Sequence, residues 1–300
     1  MNRVRRQLGL WDDMLPDQYK GCIAIVDSGI ARHIDIQNQI IGFRDFTGKN
    51  SAFLDEFGHG THVAGICAGT GRASGGLYRG IVPGAALLNV KVLDAKGKGT
   101  SDVLLRAMHW LFDNRKKYDI KVINISIHVG VTEDLQQFYK LCKSFFRENV
   151  LVVVSAGNNG PKESTLSVLG DCPYVLTVGC HDDAYFVSGK LSCKEITSRG
   201  PGKHAPYKPD IVAPGTQIMS LSNRGNGYVR KTGTSMATPI VSGFCYALFS
   251  KYEHITCEQM IRRLFLTAKD LNDSDTVQGH GMIQAACLSD WGLAKEKVSH

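Results

Sequence analysis

No stretch of this 300-residue chain approaches the ~20 consecutive apolar residues of a membrane span. No apolar segment follows the charged start Met1-Asn2-Arg3-Val4-Arg5-Arg6 before Trp11, Asp12 and Asp13, so the N-terminus does not read as a secretory signal. None of the nine cysteines (22, 67, 142, 172, 180, 193, 245, 257 and 287) stands in a CxxC pair, and their odd number in a chain of this length argues against a disulfide framework. They read as buried thiols in a reducing compartment. The expected location is the cytoplasm, with secretion by an unrecognised route as the alternative. Runs of basic charge are missing too: 35 Lys and Arg stand against 28 Asp and Glu, a formal net charge of +7, but they are scattered. A solvated surface is therefore expected, with neither nucleic acid nor membrane as partner.

No linker, repeat or low-complexity segment divides the chain. Hydrophobic content of 43% and charged content of 21% exclude a disordered or fibrous protein. The expectation is one domain over residues 21–300, with residues 1–20 as an extension packed on it. Short β-branched runs at 22–26, 87–93, 122–127, 150–154 and 175–178 are apolar throughout, as strands covered on both faces are. Between them lie helical patterns at 103–112 and at 133–148, the latter with Leu135, Phe138, Leu141, Cys142 and Phe145 on one stripe behind a Thr132 cap. Thr256 and Gln259 form a capping-box pattern that opens a helix through Leu266. The glycine-rich stretches 69–80 and 225–233 read as surface loops. Alternating strands and helices imply an α/β fold of three layers, with a mainly parallel central sheet and helices on both faces.

Three segments carry chemistry. Asp27-Ser28-Gly29 places a carboxylate at the end of a buried strand, where open α/β sheets bind ligands, although a lone Asp there also suits a turn or helix cap. Gly58-His59-Gly60-Thr61-His62 sets a histidine between two glycines where a helix begins. Zinc is the competing reading, because His59 and His62 are three apart, but no Glu lies between them as in HExxH. Gly233-Thr234-Ser235-Met236-Ala237-Thr238-Pro239 puts a serine at a glycine-led turn into an apolar helix, 237–249. Alone, Ser235 would read as an N-cap. A serine that attacks a carbonyl at neutral pH needs a general base, and the base needs a carboxylate to orient it.

Together the three segments resemble the catalytic blocks of the subtilisin-like serine peptidases, the subtilases, in that family's order of Asp, His, Ser. Asn158-Asn159-Gly160-Pro161 resembles the family's oxyanion-hole segment, and Ser198-Arg199-Gly200-Pro201 with Lys208-Pro209-Asp210 another of its signatures. Tyr78-Arg79-Gly80, Val90-Lys91-Val92-Leu93 and a closing Gly279-His280-Gly281 extend the similarity over residues 20–288, nearest to the intracellular AprX-type branch.

The resemblance implies a subtilisin-like fold and a serine endopeptidase, with peptide or protein as substrate. Ser235 would be the nucleophile, His59 the base and then acid, Asp27 the orienting carboxylate, and Asn158 an oxyanion donor beside the Ser235 N–H. It also implies two edges that hold the substrate as an added strand, Gly97-Lys98-Gly99 and Ser126-Ile127-His128. His128 and Val129 stand where the family usually has glycines; either they narrow the cleft or His128 faces solvent. Ser155, Ala156, Gly157 and Ser167 would line the pocket for P1, the residue before the scissile bond, and with no carboxylate evident there a neutral or apolar P1 is expected. No cofactor is expected to be required. Calcium is the open point: Asp35 matches a family ligand, but the companion loop 72–79 brings two arginines and no Asp, Asn or Glu, against the about six to eight oxygens a calcium ion takes. Two other classes stay open, a catalytically silent binding protein of this fold and an acyl transferase or dedicated processing enzyme.

Overall fold

A computed structural model describes residues 1–48, 53–129, 135–182 and 192–289. All five β-branched runs are strands. In chain order the elements are α1 (Asn2–Gln7), β1 (Cys22–Asp27), β2 (Ile40–Asp45), α2 (His59–Ala68), β3 (Leu87–Lys91), α3 (Ser101–Asn114), β4 (Ile120–Ile125), α4 (Leu135–Arg147), β5 (Leu151–Ser155), β6 (Leu176–Cys180), α5 (Cys193–Ile196), β7 (Ile211–Ala213), β8 (Ile218–Leu221), β9 (Tyr228–Lys231), α6 (Thr234–Lys251), α7 (Cys257–Thr267) and α8 (Asp275–Gln278).

Seven strands form one sheet in the order β2-β3-β1-β4-β5-β6-β7, each pair parallel. Because side chains alternate along a strand, β1 sends Ile23 and Ile25 to one layer and Cys22, Ala24 and Val26 to the other. The first layer holds α2, α6 and α7; the second holds α3 and α4. That two-sided burial is why the strands read as unbroken apolar runs. Helix α6 is buried on nearly every side, and truncating a ring such as that of Phe244 to Ala would cost about 3–5 kcal/mol.

Sequence order reverses beside β1. The chain leaves β1 to build β2 and β3 on one side, then crosses to β4 on the other. Ligands of open α/β sheets bind outside the strand ends at such a switch point. Asp27 ends β1 and residues 126–128 follow β4, so the fold itself brings these two predicted segments to one place.

Several local expectations change. The 225–233 stretch is not all loop: it contains β9, which pairs antiparallel with β8 in a hairpin. Strand β2 escaped notice because it lies at the sheet edge, with Gly42 and Arg44 interrupting a half-exposed run. Thr100 caps α3 through a bond from the Val103 N–H, and the Thr256–Gln259 capping box opens α7. The expected Thr132 cap lies outside the described residues. Residues 1–20 pack on the domain through their first half: Met1, Val4, Leu8 and Leu10 are buried in the first layer, and the Arg5 guanidinium reaches Gly80 O at 2.7 Å and Asp12 at 2.6 Å, while Trp11 is exposed. All nine cysteines are buried free thiols. Among the described residues no helix is long and apolar enough to cross a membrane.

Candidate active site

Asp27 is fully buried at the end of β1 and accepts the Ser28 N–H at 2.8 Å. Its carboxylate also faces the His59 ring, with Nδ1 2.8 Å from Oδ1 and 3.0 Å from Oδ2. That bond fixes the tautomer with the proton on Nδ1, leaving the Nε2 lone pair to act as a base. His59 opens α2 directly after Gly58. The start of the helix is held by Asp55, a buried residue that sequence reasoning missed. Its Oδ1 accepts Gly58 N–H and Ser28 Oγ–H, both at 2.7 Å, and its Oδ2 accepts Thr61 N–H at 2.8 Å and Thr61 Oγ–H at 2.6 Å. A carboxylate on the unpaired N–H groups of a helix start is favourable there. Its sequence signal was an Asp a few residues ahead of a helix beginning.

The N-cap reading of Ser235 does not hold. Helix α6 begins at Thr234, with Gly233 in the cap position, and Ser235 sits in its first turn, where backbone N–H groups lack intrahelical partners. Asn158 meets this turn: its Oδ1 accepts Thr234 N–H at 3.0 Å and Thr234 Oγ–H at 3.1 Å. With the carbonyl end engaged, the amide is oriented and its Nδ2 donates to no protein atom among the described residues. Gly233 makes the approach possible; at φ 145° it adopts a backbone that side chains disfavour, and a Cβ there would stand 3.2 Å from the Asn158 amide. Thr234 is therefore a second residue that motif reading passed over.

Asp27 with His59, and Asn158 with the α6 turn, are thus two direct contacts. Their link is the packing of α2 on α6 and a bond from Lys231 Nζ to Gly58 O at 2.9 Å, which ties the approach to Ser235 to the residue before His59. Ser235 makes no side-chain hydrogen bond among the described residues. Nucleophile–base bonds are often long in a free enzyme and tighten with substrate.

His62 is not a partner of His59 in a metal site. Its ring is buried against the β8–β9 hairpin, with Nε2 3.1 Å from Ile218 O and 3.0 Å from Val229 O, and burial pushes its pKa down to about 3. It is a neutral structural histidine. Among the described residues no cluster of three His, Cys, Asp or Glu could hold a metal.

Beside the triad, Lys98 spends both main-chain groups on Asp94: its C=O accepts Asp94 N–H and its N–H bonds Asp94 Oδ1, each at 2.9 Å. The main-chain groups of Gly99 have no protein partner among the described residues, and neither have those of Ile127 and His128. Among the described residues both segments thus present edge groups of the kind an extended peptide satisfies. Ile127 and Val129 are buried in the second layer while His128 is exposed. Val129 is therefore turned inward, away from the cleft. Ser155 ends β5 and Ala156 and Gly157 follow it, backed by Ser167, whose N–H bonds Ala156 O at 2.7 Å and whose Oγ donates to Ser155 O at 2.9 Å. The carboxylate four residues on, Asp171, is taken up by His204 and Ala205. The cavity of about 770 Å³ lined by Tyr207, Lys208 and His280 includes no triad residue.

Asp35 is fully buried and already satisfied. Oδ1 accepts Ala73 N–H at 2.8 Å and Oδ2 accepts Tyr228 O–H at 2.7 Å, while Arg79 of the same loop pairs with Asp12 at 2.6 Å. Protein donors occupy both oxygens that a calcium ion would need, and two arginines share the loop, so these residues do not fit that ion.

Residues 20–281 match the sequence profile of the subtilase family. The chain is 33% identical over 285 residues to Serine protease AprX of Bacillus subtilis (strain 168), covering 88% of this chain and 64% of that protein. It is 30% identical to an intracellular serine protease of Paenibacillus polymyxa, covering 89% and 80% of the two chains. The fold superposes on the solved structure of Sphericase with a TM-score of 0.78 at 25% identity, over 94% of this chain and 96% of that one.

Proposed function

The chain belongs to the subtilase family, and we propose that it is a serine endopeptidase that hydrolyses peptide bonds through an acyl-enzyme on Ser235. The observation that carries this reading is the bond between His59 Nδ1 and buried Asp27, together with an Asn158 amide that is oriented at the turn bearing Ser235.

In the first step His59 Nε2 takes the Ser235 hydroxyl proton as Oγ attacks the scissile carbonyl. The imidazolium that forms is stabilised by Asp27, which keeps its charge. The tetrahedral oxyanion receives Asn158 Nδ2–H and the Ser235 N–H, at a helix start whose dipole also favours negative charge. Collapse expels the amine, which takes the proton from His59, and the C–N bond breaks. Water then repeats the sequence against the acyl-enzyme, with His59 again the base, and releases the carboxylic acid.

The substrate lies as an added strand between Gly97-Lys98-Gly99 and Ser126-Ile127-His128. P1 is neutral or apolar, because Ser155, Ala156, Gly157 and Ser167 present no free carboxylate. Catalysis proceeds without a resident metal, and Asp35 holds no calcium. The name of the Paenibacillus polymyxa relative, an intracellular serine protease, supports a cytoplasmic location.

Incubating the protein with an unfolded protein substrate and sequencing the products by mass spectrometry tests the reading. New free carboxyl and amino ends, absent with Ser235→Ala, are expected. Products joined to an added amine would make the enzyme an acyl transferase, and intact substrate would favour a silent binding protein.

A further inference from the structure

We infer that Lys231 reads the leaving-group side of the substrate, favouring an acidic side chain at P1′ or P2′, the first two residues after the scissile bond. This rests on the endopeptidase reading above and adds a preference that the triad does not supply.

The loop before His59 is immobilised. Asp55 holds it through the four bonds already described, and Asn223 Nδ2 donates to Asp55 O at 2.8 Å. This loop presents Phe57, 44% exposed, with its ring centroid 6.2 Å from that of His59. The tip of the ring lies on Gly97, where a Cβ would come within 2.5 Å of it, so only glycine lets the ring settle there. Lys231 also lies against this ring, its Nζ 5.8 Å from the centroid. Phe57 thus touches both the acyl-side edge at Gly97 and the Lys231 ammonium. Because His59 hands its proton to the leaving amine, the peptide beyond the scissile bond lies on the His59 side, where Lys231 bonds the neighbouring Gly58.

The ammonium is unspent. Of its three N–H donors, one is given to Gly58 O at 2.9 Å, and no carboxylate pairs with it among the described residues. It is also partly desolvated, since burial lowers its pKa while Asp55 and Asp27 oppose that. A partly buried cation with two free donors is better satisfied by a carboxylate than by water or an amide. The β9 strand fixes where it stands, because Lys231 pairs with Ile218 in the hairpin that packs on His62.

The test uses internally quenched peptides identical except for Glu, Gln or Lys at P1′ and, in a second set, at P2′. For each enzyme kcat/KM is expressed relative to its own Gln peptide. The wild type is expected to prefer Glu over Gln by about 3- to 10-fold at one of the two positions, with Lys poorest, and the ratio should shrink in ~1 M salt. Lys231→Met should bring the ratio near unity, Lys231→Glu should invert it, and Lys231→Arg should keep it. A flat ranking in the wild type overturns the inference by itself, whatever the variants do, and so does a Glu preference that survives in Lys231→Met and Lys231→Glu. Failure of the wild type to cut even the Gln peptides is a different result, which removes the endopeptidase reading and the inference with it.

Discussion

Asp27 and Asp35 lie eight positions apart, and both are fully buried, yet only one is available for chemistry. Asp27 meets a single backbone N–H and gives the rest of its charge to an imidazole that can become a cation. Asp35 is closed by a backbone amide and a tyrosine hydroxyl, two donors that stay in place. Burial alone therefore marks neither a catalytic carboxylate nor a metal ligand. What decides is whether the partners leave a change in charge for the carboxylate to stabilise.

The sharpest way to break this contrast is to neutralise each carboxylate with Asn. Asp27→Asn should lower kcat by about 10⁴-fold, the loss typical of an orienting carboxylate in serine peptidases, because the tautomer and the imidazolium both lose support. Asp35→Asn should leave kcat within a few-fold of the wild type. Comparable losses in the two variants, read by steady-state kinetics on one peptide, would erase the distinction.

On the catalytic side, Asn158→Ala should cost the usual amount for one oxyanion donor, about 10²- to 10³-fold in kcat or ~2.7–4 kcal/mol, with KM little changed. Thr234→Val keeps the N–H that orients Asn158 and removes only the hydroxyl bond, so about a 2- to 10-fold loss in kcat is expected. A defect confined to KM in either variant would make the residue a substrate contact.

Tyr228→Phe strips one donor from buried Asp35 while sparing the triad. Leaving a buried carboxylate oxygen without its partner should cost about 1.5–3 kcal/mol in denaturant unfolding, with kcat unchanged. EDTA should then do less than this substitution. A melting temperature falling by more than ~10 °C in chelator would reveal a stabilising ion.

His62 gives the pH test. Its pKa is about 3 when folded against 6.5 for an ordinary histidine. Above pH 6.5 both states are neutral there and stability is unaffected. As pH falls below 6.5 the unfolded chain takes a proton that the folded chain refuses, so stability should drop by about 1.4 kcal/mol per pH unit toward pH 3 from this group. Replacing His62 by Gln should flatten the slope of unfolding free energy against pH by that amount; an unchanged slope would mean the ring is protonated in place.

Much of this was legible in the chain. Asp27 and His59 stand where an apolar run ends and where glycines flank a helix start, which are local patterns. Asn158 and Ser235 were readable as parts of ordered blocks. Asp55, Thr234 and Lys231 were not, because each gains its meaning from a partner distant along the chain: Ser28 for Asp55, Asn158 for Thr234 and Gly58 for Lys231. Strand β9 was hidden by the glycines around it, and Val129 was misread because a departure from a glycine pattern was noticed before the in-out alternation of Ile127, His128 and Val129. The satisfied state of Asp35 could not be foreseen either, since its donor Tyr228 comes from the opposite end of the sequence.

Covalent labelling is the most direct measurement. A fluorophosphonate should add once to the native protein, on the peptide that contains Ser235, and the labelling rate should fall steeply in His59→Ala and Asp27→Asn and vanish in Ser235→Ala. An adduct on another residue, or equal labelling rates with and without Asp27, would contradict a serine activated by the Asp27–His59 pair.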